Sequence, residues 1–172
     1  MPELEIHHES EHAIDRVGQK VGVLAAGLAV ALAIVSIASH RTHTAAIIHK
    51  SSANDSWQRY QSTRVKVHTL ELGEGLLQAL GGKVNRVSAD FAAQKKGEET
   101  KGKQIQKDAE KAEQMSEADE RRALRYDIGG GLLEIALVAS SLFFISRKGM
   151  FPWMGLIAGI AGVAIALSGW MI

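Results

Sequence analysis

The chain contains no cysteine. Disulfides, thiolate catalysis, iron–sulfur clusters and cysteine-based zinc sites are therefore excluded. The absence does not identify a compartment, because an oxidising space permits disulfides without requiring them. Proline is scarce, and neither of the two prolines, Pro2 and Pro152, falls within residues 40–127. Aromatic residues make up only 5% of the chain, and the formal net charge is +1. So small a charge lacks the basic surplus that binding to nucleic acid requires. Enzymatic signatures are also missing. There is no glycine loop followed by Lys and Ser or Thr, no nucleophile elbow, and no pair of carboxylates in an apolar setting. Gly129, Gly130 and Gly131 open an apolar run and do not follow a strand, so they form no nucleotide fingerprint. A non-enzymatic protein with no cofactor is expected.

Charge is lacking in particular places, and that distribution carries the fold. Val21 to Ala38 holds no charged residue, and at 1.5 Å per residue it would span about 27 Å, close to the thickness of a bilayer's hydrocarbon core. Residues 128–146 carry one charge, Glu134, and residues 150–172 carry none. One such helix could be buried in a soluble core. Three in 172 residues could not be covered. The expected fold is an all-α membrane protein with transmembrane helices at 21–39, 128–146 and 150–172, preceded by an acidic, His-bearing tail at 1–20. That tail holds five acids against two bases, unlike a signal peptide, so the first span reads as an uncleaved anchor. Trp153 and Trp170 lie at opposite ends of the third span, where indoles favour the interfaces. The chain is expected to end at the membrane surface with no further tail.

Residues 40–127 form the extramembrane segment, and a break near 81–87 begins with Gly81 and Gly82. It divides the segment into two arms of about 40 residues, each about 60 Å long if helical. Equal arms, a glycine break and membrane anchors at both outer ends predict a long antiparallel helical hairpin between the first and second spans. Ala46, Ala53, Tyr60 and Val67 recur every seven residues in the first arm, with Trp57 and Leu70 at intermediate steps, as in a coiled-coil seam. In the second arm Ile105, Ala109, Ala112 and Met115 share a face amid Lys, Glu, Gln and Asp. Gly97 and Gly102 bracket a short patch where this helix is expected to break or fray.

Orientation rests on the short loop containing Arg147 and Lys148, which the positive-inside rule places in the cytoplasm together with the N-terminus. The long segment pulls the other way with 16 of the 20 basic residues, but long segments translocate largely regardless of charge. A cytoplasmic N-terminus is favoured.

Few residues offer chemistry. His7, His8 and His12 sit among Glu5, Glu9 and Glu11, and His40 and His43 lie one turn apart. Imidazole binds zinc, copper or nickel well, so a metal- or pH-responsive tail is one reading. Neither group matches a recognised metal motif, however, and surface histidine is the other reading. Glu134 is the one ionisable side chain within a span, a functional hypothesis by default. Snorkelling to the interface and pairing with another helix are the alternatives. Gly155 and Gly159, with Ala158, Gly162 and Ala166 on the neighbouring stripe, make small faces suited to close helix packing, as do Ala25, Ala29 and Ala33.

The stretch Ala53-Asn54-Asp55-Ser56-Trp57-Gln58-Arg59-Tyr60-Gln61-Ser62 suits a helix–helix or subunit contact, with the Trp and Tyr rings buried and their polar tips bonded. It also resembles the domain-of-unknown-function family 4337, uncharacterised bacterial membrane proteins. Their pattern is an acidic tail, a span, an N-D-x-W-x-x-Y-Q segment, a Lys/Glu-rich helical stretch and a terminal two-span hairpin. The resemblance implies a bacterial inner membrane and three spans, and it implies no activity. The resulting expectation is a membrane-anchored helical scaffold whose partners are the lipid bilayer and either itself, as a homo-oligomer, or another membrane protein. Its contact residues would be Asn54, Trp57, Tyr60 and Gln61. An oligomeric channel or transport component with Glu134 facing a pore is the rival.

Overall fold

The computed structural model describes residues 16–81 and 85–171. They form three helices and, among the described residues, no strand: α1 (Arg16–Ala79), α2 (Asn85–Ser146) and α3 (Met150–Trp170). The two long helices pack antiparallel, and all three contain a stretch long and apolar enough to cross a membrane. α1 runs on from an apolar stretch into a charged one and α2 from a charged stretch into an apolar one, each without interruption. No proline stands in either to remove a backbone donor. Pro152 falls in the first turn of α3, where the missing N–H has no intrahelical partner to lose.

The turns follow from backbone chemistry. At the end of α1 the Leu80 N–H donates to the Leu76 carbonyl at 3.0 Å and the Gly81 N–H to the Gln78 carbonyl at 3.2 Å. Gly81 then takes φ +64°, the left-handed conformation that ends many helices and that glycine adopts without a steric cost. Arg147 does the same work after α2 at φ 55°, with its N–H donating to the Phe143 carbonyl at 2.8 Å.

The chain divides into two compact units, one built from residues 16–38 and 125–171, the other from residues 39–124. The first is an apolar three-helix packing. Leu28, Leu133 and Ala136 are its buried centre, and Leu24, Val35, Leu137, Ala158 and Val163 close around them. Many of its outward side chains are also apolar: Val23, Ile34, Ile135, Val138, Ile145 and Ile160 are all exposed. The helices approach closely because glycine lines their contacts. A Cβ on Gly162 would lie 2.8 Å from the Gly129 carbonyl oxygen, and one on Gly155 would lie 2.7 Å from the Ala136 carbonyl oxygen.

The second unit is the paired hairpin. As the α1 position advances from Ala46 to Gly73, its partner on α2 retreats from Ser116 to Phe91. Ala46, Ala53 and Val67 are buried and Tyr60 is half-buried, so the seven-residue recurrence marks the α1 side of the seam. On α2 the buried positions of this unit are Gly102, Ala109, Ser116 and Ala123, again seven apart, with Asp119 beside them. Two expectations are corrected here. Met115 is 43% exposed and stands beside the seam, because the seven-residue register through Ala109 places Ser116 inward instead. The helix also continues unbroken through Gly97 and Gly102. Gly102 is buried against Tyr60 and Thr63, so its missing side chain serves close approach and not a break.

Candidate functional site

Within the hairpin the aromatic stretch of α1 sits where the seam meets one outer flank. Ala53 and Tyr60 follow the buried register, Trp57 lies one turn from each, and Asn54 and Gln61 face outward. The Trp57 and Tyr60 rings meet edge to face, with centroids 5.7 Å apart and planes at 80°. This geometry sets the positive edge of one ring against the negative face of the other. Trp57 is half-buried and, with Ile47 and Asn54, forms one wall of a groove whose opposite wall carries Glu113, Glu117 and Glu120 of α2. The groove is thus apolar at its floor and acidic along one side. Lys50 bridges its end through a 3.3 Å ion pair with Glu120.

Polar groups fix the register of the two arms beside this groove. The buried Ser116 hydroxyl donates to the Ala46 carbonyl at 3.1 Å. His49 Nδ1 meets Asp119 Oδ2 at 2.9 Å, and the same carboxylate accepts from Arg122 at 3.3 Å. Asp119 is 9% exposed, so the two partners satisfy a carboxylate that burial would otherwise penalise. Sequence reasoning singled out none of Ser116, Asp119 or His49, and it read Gly102 as the edge of a break and not as a seam position. Stepping by seven from Ala109, itself recognised as inward, reaches Gly102 and Ser116, and that was the available signal.

Near the hairpin turn Lys95 of α2 bridges to Glu71 of α1 at 3.0 Å and to Glu74 at 3.9 Å, and Glu71 also meets His68 Nδ1 at 3.0 Å. The hydrogen bond from Lys95, and then that from His68, holds the Glu71 carboxyl below its ordinary value. Reciprocally, Glu71 raises the Lys95 ammonium above its own. Glu98 is lowered by its hydrogen bond to Lys101.

The remaining candidates fall elsewhere. His7, His8 and His12 lie outside the described residues. His40 and His43 are exposed on α1, and among the described residues no group of three or more His, Asp or Glu side chains is placed to hold a metal. Gly155, Gly159 and Gly162 are buried on α3, facing Ser140, Leu28 and Gly129 respectively. Ala29 and Ala33 of α1 face outward, and α1 packs instead through Leu24, Leu28 and Val35. Glu134 is exposed on the outer surface of its apolar unit, while its neighbours Leu133 and Ala136 are completely buried.

Two long antiparallel helices and a third helix, each with a stretch apolar enough to cross a membrane, define an all-helical protein of possible three-span type. A family model described as "Domain of unknown function (DUF4337)" matches residues 17–172, and the chain belongs to that family. No curated protein matches the chain, and no solved structure does.

Proposed function

We propose that the protein is a non-enzymatic helical scaffold of a bacterial inner membrane, homo-oligomeric, with the hairpin as its working surface. The membrane reading is supported by the apolar residues that the three-helix unit turns outward, among them Val23 at 75% and Ile145 at 84% exposure. In water such a surface would far exceed the apolar patches tolerated by soluble monomers, whereas lipid chains accept it at no cost.

The observation that carries the scaffold reading is the position of Trp57. A tryptophan half-buried in an open groove, flanked by the exposed amides of Asn54 and Gln61, offers the aromatic anchor and polar rim on which helical contacts are built. The buried seam residues that line the same groove, Ala53 and Ser116, are small, so the ring projects beyond them.

The test is native mass spectrometry of the full-length protein released from nanodiscs, wild type beside Trp57→Ala. A closed oligomer that the substitution dissociates supports self-assembly through the hairpin. A monomeric wild type overturns it and leaves an accessory subunit of a larger membrane assembly.

The rival reading, an oligomeric channel with Glu134 at a pore, draws on the outward position of that carboxyl. Ion flux through liposomes carrying the wild type, abolished by Glu134→Gln, would favour it over the scaffold.

A further inference from the structure

Glu134 poses a solvation problem that the chain itself does not solve. The contacts of α3 give its depth. The Cβ positions of Gly159 and Gly162 fall against Ala136 and against Leu132 with Leu133, so Glu134 stands level with α3 residues 160–161. Those residues lie seven to eight positions from Trp153 and nine to ten from Trp170, about 11–12 Å and about 14–15 Å along the helix axis. If the two indoles mark the interfaces, Glu134 is near the middle of the bilayer, beyond the reach of a glutamate side chain toward either surface. Among the described residues it has no hydrogen-bond or ion-pair partner, and it points away from the packed face of α2.

The surface around it is also open to close approach. One turn before Glu134, Gly131 has nothing within 4 Å of where a Cβ would lie. By contrast, the glycines that α2 and α3 turn toward each other, Gly129, Gly155 and Gly162, have neighbouring backbone within 3 Å of that point. One and two turns after Glu134, Val138 and Ser141 continue the same outward face.

We propose that this face of α2 is an intramembrane contact with a second copy of the chain, in which the two Glu134 carboxyl groups hydrogen-bond to each other. The inference rests on the membrane-scaffold reading and deepens it. Identical copies inserted in the same sense and related by a two-fold axis along the membrane normal place identical residues at identical depth. Glu134 therefore meets the one polar group certain to be at its own level, and Gly131 lets the two backbones come near enough for the bond. A polar pair of this kind joins helices in hydrocarbon, where burial of apolar surface contributes no drive.

Because the chain has no cysteine, a single introduced thiol reports the contact cleanly. Full-length Val138→Cys in liposomes is expected to oxidise to a disulfide-linked dimer, while Ile157→Cys, exposed on α3, is not. Adding Glu134→Leu should lower the Val138→Cys yield at least tenfold. Glu134→Gln, whose amide also pairs, should leave it within about twofold. Circular dichroism of each variant shows whether the helices persist. A yield indifferent to Glu134→Leu overturns the proposal. So does a Val138→Cys thiol that reacts with a water-soluble maleimide, since that places the face on an aqueous lumen. Absence of the cross-link from a protein still oligomeric by native mass spectrometry refutes this contact and leaves the scaffold reading standing. A monomer refutes both.

Discussion

Gly102 of α2 lies directly under the Tyr60 ring of α1. A Cβ built on it would stand 3.8 Å from Tyr60 Cε2 and 3.3 Å from Thr63 Cγ2. The arms of the hairpin pack closely at a point where a side chain is missing, and the aromatic stretch of α1 rests on that gap.

A side chain larger than methyl at position 102 should force the arms apart. Gly102→Leu is expected to destabilise the hairpin by about 1–3 kcal/mol through overpacking. Gly97, exposed and with open space at its Cβ, should behave in the opposite way. There Gly97→Ala should stabilise by about 0.5–1 kcal/mol through helix propensity. Thermal unfolding of the full-length protein followed by circular dichroism checks both signs, and equal effects at the two sites would disprove the close-approach account.

Gly129 is the corresponding point in the apolar unit. Its Cβ would fall 2.8 Å from the Gly162 carbonyl oxygen and 3.0 Å from the Ala166 backbone nitrogen, and neither backbone group can swing aside. Gly129→Ala should therefore weaken the α2–α3 packing by about 1–3 kcal/mol. Gly22→Ala, with nothing near its Cβ, should change it little. Unfolding in mixed micelles by titration with dodecyl sulfate gives the comparison.

The Lys95–Glu71 bridge makes the end of the hairpin sensitive to pH. Glu71 has a folded pKa below its ordinary 4.5, so its contribution is complete above that value and is lost as pH falls through the lower folded value. Lys95 has a folded pKa above its ordinary 10.5, so its contribution is complete below 10.5 and is lost as pH rises through the higher folded value. Glu71 is exposed and Lys95 half-buried, and the effect is local. Amide exchange in residues 70–80 and 88–98, corrected for its intrinsic pH dependence, should quicken relative to residues 105–120 below about pH 4.5. Glu71→Gln should remove that difference, and its persistence would rule the bridge out as the cause.

The parts that the sequence alone determined are those in which one long run of a single chemical character sufficed. Absence of charge over the three apolar runs and absence of proline through both arms are properties of each segment by itself. They set the three helices before any contact is considered. The seam of the first arm was legible because Ala46, Ala53, Tyr60 and Val67 repeat at a regular seven-residue interval.

Tertiary structure decided the rest, because the deciding quantity was distance between backbones. Gly102 and Ser116 carry almost no hydrophobic signal. Gly102 is inward where the arms pack closely against Tyr60 and Thr63, and Ser116 is satisfied inward by the Ala46 carbonyl. Met115 carries a strong apolar signal yet stands outside the seam, one position off the seven-residue register. Nothing in the sequence ties Asp119 to His49, and it is pairing of the arms that brings these residues, 70 apart in sequence, to 2.9 Å. The sequence marked Glu134 as an ionisable group in an apolar run. Only the packing of α2 against α3 revealed which residues of α3 it stands level with and that it faces away from its own chain, since level and direction depend on a neighbouring helix.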